Sequence, residues 1–210
     1  MTLFIPGRGL KLEAILREPR NKALRGGAVL CHPHPAYGGT MENRVVFRAA
    51  KAVLAAELAA LRFNFRGAGA SGGAYDEGIG EKDDVVAAID WLEAKYPRLP
   101  LVLIGFSFGS WVGLRVACKD FRIKAVVGLG LPLNFYDFDF LVENEKPSLY
   151  IVGTQDEFCP LEKLDFLARR LPQTSSVHRI QGADHFFGEQ LEQVQSLITG
   201  FFRQTDLDRV

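Results

Sequence analysis

Short apolar runs alternate along this chain with longer stretches of helical periodicity. Residues 3–5 and 12–16 predict two short antiparallel strands, the second alternating apolar and polar positions. Gly26 and Gly27 read as a break before a buried strand at 28–31. A helix is expected over 41–59, where Val46, Ala49, Ala50, Val53 and Leu54 recur at helical spacing. Residues 60–65 predict the next strand. Residues 80–95 predict a helix with Val85, Ala88, Ile89 and Leu92 on one face and acidic residues in its first turn, where they suit the helix dipole. Strands at 101–105, 124–129, 148–153 and 176–180 follow, with helices at 107–119, 160–171 and 187–203. Strands alternating with long helices imply an α/β fold: a mostly parallel sheet covered on both faces. Ligands then bind beyond the C-terminal strand ends.

Composition narrows the reading. A chain of 210 residues without an obvious linker is expected to be one domain, 1–210. Lys+Arg and Asp+Glu both number 25, so charge gives no reason to expect a nucleic-acid partner or an anionic membrane surface. No apolar run approaches the roughly 18 residues of a membrane span. The start of the chain lacks the basic and apolar regions of a signal peptide. The three cysteines, Cys31, Cys118 and Cys159, are far apart and odd in number, which argues against a disulfide framework and leaves no zinc spacing. The expectation is a cytoplasmic protein, monomer or homodimer, with no metal and no cofactor.

The chemistry centres on residues 101–113, LVLIGFSFGSWVG. A strand, a sharp turn carrying Gly105-Phe106-Ser107-Phe108-Gly109, and a helix make a nucleophile elbow. Ser107 must adopt a strained backbone to lift its hydroxyl from the turn, and the positions two before and two after it are crowded, hence glycine. A serine hydroxyl needs a base, and the base needs an orienting partner. Asp156 follows the strand ending at Gly153, and His185 lies in the loop before the last helix, giving the order Ser, acid, His.

With these residues in hand, the chain resembles the α/β-hydrolase superfamily, and within it the small, lidless, esterase-like bacterial hydrolases. The likeness runs through CHPHPAYGGTMENR, RFNFRGAGASGG, GFSFGS, GTQDEF and GADHFF, nearly the whole chain. It implies a Ser107–His185–Asp156 triad. The family often has His-Gly after the third strand, where this chain has His32-Pro33. A cap domain commonly follows the family's sixth strand; here only about 17 residues separate Leu131 from Ser148, so none is expected.

The oxyanion donors expected are the Phe108 amide, at a helix start, and the His34 amide, because Pro33 and Pro35 have no N–H; Ala36 and Tyr37 are the fallback. Tyr37, Phe135, Phe158 and Phe186 are the expected substrate-binding side chains for a small-molecule acyl substrate. Several alternatives stay open. Ser71, in Gly69-Ala70-Ser71-Gly72-Gly73, also fits the elbow pattern but opens a glycine-rich loop. Asp137, Asp139 and Asp184 compete with Asp156. His32 and His34, two apart on extended chain, share a face as metal ligands would. His178 reads as structural. The expected activity is cleavage of carboxylic esters with short or exposed apolar acyl groups. A thioesterase, lactonase or small peptidase with the same triad, or a binding protein retaining the fold, remain the other readings.

Overall fold

The structure, a computed structural model, describes residues 2–20 and 23–207. Within these residues eight strands form one sheet: β1 Thr2–Pro6, β2 Lys11–Arg17, β3 Gly26–Cys31, β4 Leu58–Phe63, β5 Leu101–Phe106, β6 Ile123–Leu129, β7 Ser148–Gly153 and β8 Ser175–Ile180. Their order is β1-β2-β4-β3-β5-β6-β7-β8. β1 pairs antiparallel with β2, and β2 with β4; every other pairing is parallel. The central strands β3, β4, β5 and β7 are buried at every position, as continuous apolar runs covered on both faces must be.

Among the described residues, five helices cover the sheet: α1 Arg44–Ala55, α2 Gly80–Lys95, α3 Phe108–Ala117, α4 Leu161–Ala168 and α5 Leu191–Gln204. On one face, Val46 and Val53 of α1 and Val194, Ile198 and Phe202 of α5 share a core with Leu30, Ile104 and Ile151. On the other, Val85 and Ile89 of α2, Val112 of α3 and Leu164 of α4 pack on Val29, Leu103 and Val126. Between β6 and β7 the chain forms only a short 3-10 turn at Asp139–Glu143, so no cap covers this end of the sheet. Among the described residues no helix is long and apolar enough to cross a membrane.

Two local expectations need correction. Gly26 and Gly27 do not break the chain; they open β3, in register with Leu58 and Ala59 of β4. They are glycine because the strand is crowded: a Cβ on Gly26 would stand 2.6 Å from the Pro100 carbonyl oxygen. The helix expected over 41–59 is also shorter. Asn43 caps it, its Oδ1 accepting from the Val45 amide at 2.9 Å. Beyond Ala55 the chain turns at Glu57, which takes a left-handed φ of 66°, and Leu58 already belongs to β4. The intervening alanines and leucines suit either state, so their periodicity carries no boundary.

Candidate active site

The strand–turn–helix around Ser107 has the geometry its residue types require. Ser107 takes φ 55° and ψ −124°, a conformation costly for a residue with a Cβ. The turn is held where its amide donates to Leu129 O at 2.9 Å and where Ser110 Oγ donates to its carbonyl at 2.6 Å. A Cβ on Gly105 would lie 2.4 Å from the Gly109 carbonyl oxygen, and one on Gly109 2.4 Å from that of His32. Only two glycines let helix, turn and β3 approach this closely.

Three loops at the C-terminal strand ends converge on that serine. Ser107 Oγ is 2.9 Å from His185 Nε2. His185 Nδ1 is 2.9 Å from Asp156 Oδ2 and 3.0 Å from Oδ1. The Phe158 amide donates to Asp156 Oδ1 at 2.9 Å, fixing the carboxylate. His185 and Asp156 are buried, and three rings enclose the imidazole: Phe158 with centroids 4.6 Å away, Phe106 at 5.1 Å and Phe186 at 5.2 Å. These rings fix its orientation and screen the His185–Asp156 pair from water.

The competing residues are elsewhere. Ser71 Oγ donates to Asn64 O at 2.7 Å and accepts from the Glu13 amide at 2.9 Å, tying β2 to the loop after β4. Asp137 accepts from the Asp139 amide, Asp139 pairs with Arg170 at 2.8 Å, and Asp184 accepts from the Phe186 amide. His178 is exposed on the edge strand β8.

The expectation that His32 and His34 share a face does not hold. His32 is fully buried and both ring nitrogens are used: Nδ1 lies 2.6 Å from Pro33 O, and Nε2 accepts from the Phe65 amide at 2.9 Å. That fixes a neutral ring with its proton on Nδ1, and burial pushes its pKa down to about 4. His34 turns away at a 3-10 turn, Pro35–Tyr37, which its Nδ1 caps by accepting from the Ala36 amide. Its ring lies 4.8 Å from that of Phe108, 4.6 Å from Tyr37 and 4.7 Å from Tyr75, and burial lowers its pKa. Among the described residues, no cluster of three or more His, Cys, Asp or Glu is arranged to hold a metal ion. The amides of His34 and Phe108 donate to no acceptor among the described residues, and the ring contact makes the two residues neighbours beside Ser107.

A cavity of about 220 Å³ opens at Ser107 and His185, lined also by His34, Tyr37, Gly38, Gly39, Phe158 and Phe186. Phe135, expected in that wall, stands outside it: it is 65% exposed and props the ring of Phe158 from behind, centroids 5.6 Å apart. A larger groove, about 770 Å³, runs over Arg115, Cys118, Phe121 and Arg122 but contains no nucleophile–base pair. Tyr75 and Asn64 were not among the site residues expected from sequence; Asn64 lies in the RFNFRGAGASGG stretch, but neither carries a side chain that the acyl-transfer chemistry calls for.

Residues 27–197 match a family model described as an alpha/beta hydrolase domain. An uncharacterised protein of Rickettsia prowazekii (strain Madrid E) is 36% identical over 183 residues, 83% of this chain and 77% of that protein. An alpha-beta serine hydrolase homologue from Coxiella burnetii is similar in structure, with TM-score 0.90 and 32% identity, over 95% of this chain and 96% of that one. XC6422 from Xanthomonas campestris, a serine hydrolase without a lid, gives TM-score 0.89 and 30% identity, over 97% and 94% of the two chains. Sheet order, capless β6–β7 connection and these matches agree: the chain belongs to the alpha/beta-hydrolase family.

Proposed function

We propose that this hydrolase cleaves carboxylic esters bearing short or exposed apolar acyl groups, through an acyl-enzyme on Ser107. The observation that carries the reading is the continuous hydrogen-bonded line from Ser107 Oγ through His185 to the buried Asp156 carboxylate. Ser107 attacks the ester carbonyl as His185 Nε2 takes its proton. Asp156 keeps the other imidazole proton on Nδ1 and stabilises the imidazolium that forms. The Phe108 and His34 amides face the developing oxyanion, and the start of α3 adds the favourable end of its dipole. His185 returns the proton to the departing alcohol, then activates water to release the acid.

Size and lining support the substrate class. A cavity of about 220 Å³ is smaller than the roughly 300–1,000 Å³ of ordinary small-molecule sites. Its aromatic walls favour an apolar acyl group, and the capless end leaves the alcohol side open. The test is intact-mass spectrometry after a small fluorophosphonate, followed by peptide mapping and a screen of p-nitrophenyl esters. A single adduct on Ser107 with turnover of acetate to butyrate esters is expected. A folded protein that takes no adduct and turns over no ester sinks the reading.

A further inference from the structure

The loop that carries the His34 amide, residues 32–43, is held at both ends by the strand-end segment Arg62-Phe63-Asn64-Phe65. At its start, the Phe65 amide donates to His32 Nε2, and the other nitrogen of that ring meets Pro33 O. At its far end, both backbone groups of the buried Met41 are held. The Met41 amide donates to Asn64 Oδ1 at 2.7 Å, and Arg62 Nη1 donates to the Met41 carbonyl at 2.7 Å. Between these points the loop closes on itself, the Gly39 and Tyr37 amides both donating to His34 O. Gly39 packs so closely that a Cβ there would lie 2.2 Å from Pro33 O. The His34 peptide is thus held by the loop's own turn and by anchors outside the loop at both of its ends.

Asn64 is the member of this arrangement whose side chain has no other task. It is 3% exposed, and its amide is used at both ends: Oδ1 on Met41, and Nδ2 donating to Glu13 Oε2 at 2.7 Å. Glu13 stands on β2, and the same Oε2 accepts from the Ala70 amide at 2.8 Å. The Asn64 rotamer is therefore fixed by β2, the strand that pairs directly with β4. An apolar residue of similar size fills the same space but leaves the buried Met41 amide without an acceptor, and such a group draws the backbone toward another partner.

We propose that Asn64 is a positioning residue for the oxyanion site: through Met41, and backed by Glu13, it holds the 32–43 loop so that the His34 amide points at the substrate oxygen. This rests on the acyl-transfer reading above. Asn64 touches neither Ser107 nor His185 in any hydrogen bond, so its effect must appear in transition-state stabilisation and not in base strength.

The experiment compares wild type with Asn64→Leu, measuring kcat, KM, the acid-limb midpoint of kcat/KM and the Ki of phenylboronic acid, whose tetrahedral adduct on the serine occupies the oxyanion site. A displaced donor lowers kcat by about 10- to 100-fold, with KM and the acid-limb midpoint unchanged. Ki rises by a similar factor. A variant that merely unfolds part of the sample loses kcat with Ki unmoved, and that result overturns the proposal, as does a kcat within twofold of wild type. Should Asn64→Leu not fold, Asn64→Ser, too short to reach Met41, is read the same way. A wild type that hydrolyses no ester and takes no fluorophosphonate ends the acyl-transfer reading and this inference with it. A loss confined to the Asn64 variants, or its absence, judges Asn64 alone.

Discussion

His185 Nδ1 faces the Asp156 carboxylate almost symmetrically, 2.9 Å from one oxygen and 3.0 Å from the other. A carboxylate placed this way accepts the Nδ1 proton and leaves Nε2 with its lone pair toward Ser107. An amide in its place presents an NH₂ that favours the opposite tautomer. Asp156→Asn is therefore expected to lower kcat by roughly 10⁴ while the fold survives. A loss under tenfold in ester turnover would show that the carboxylate does not set the tautomer.

The backbone of Ser107 makes a prediction about stability that opposes the one about activity. Its φ of 55° is strained for any residue with a Cβ. Ser107→Ala and Ser107→Gly both remove the hydroxyl proposed as nucleophile, so turnover is expected to fall by several orders of magnitude in each. Glycine alone relieves the strain. Ser107→Gly should be more stable than Ser107→Ala by about 1 kcal/mol in urea titrations. Equal midpoints would mean the elbow stores no strain.

These relationships differ in how far the amino-acid order reveals them. Strand–helix alternation showed the sheet and its two covered faces, because continuous apolar runs such as 101–104 have only one environment to occupy. The candidate residues Ser107, Asp156 and His185, which the structure brings into one hydrogen-bonded line, were legible because each follows a strand end in a fixed chain order. What escaped was local competition and long-range pairing. Leu54 to Ala60 suits helix and strand equally, so only the Asn43 cap and the left-handed Glu57 divide α1 from β4. Phe135 and Phe158 are equally aromatic on paper, and only packing decides that one lines the cavity and the other props it. The Glu13–Asn64–Met41 line joins residues 51 and 23 positions apart, a separation no local pattern records.

Phe186 tests whether the cavity wall sets chain length. Its ring borders the 220 Å³ space above Ser107 and is 53% exposed, so trimming it opens the site without leaving a void in the core. Phe186→Ala should raise the ratio of kcat/KM for hexanoate over acetate esters by about tenfold, the scale of a methylene or two in an apolar pocket. An unchanged ratio would place the acyl chain on another wall.

His32 makes stability depend on pH. Its neutral ring donates from Nδ1 to Pro33 O and accepts at Nε2 from the Phe65 amide, so a second proton has no place in the fold. The folded pKa lies at about 4, against 6.5 for an ordinary histidine. As pH falls below 6.5 the unfolded chain takes up a proton that the folded chain refuses. Stability from this residue is thus full above pH 6.5, declines by about 1.4 kcal/mol per pH unit as the pH drops, and levels off below about 4. His32→Gln keeps an amide donor and acceptor but cannot titrate. It should be less stable than wild type at pH 7.5, where the histidine's geometry is better, and the two unfolding midpoints should converge toward pH 4.5. His34 is present in both proteins, so its own depressed pKa cancels in the comparison. Urea titrations at half-unit steps read the difference directly. Parallel curves across that range would mean that His32 is protonated in the native state, and that the clamp on the start of the 32–43 loop is not the one described.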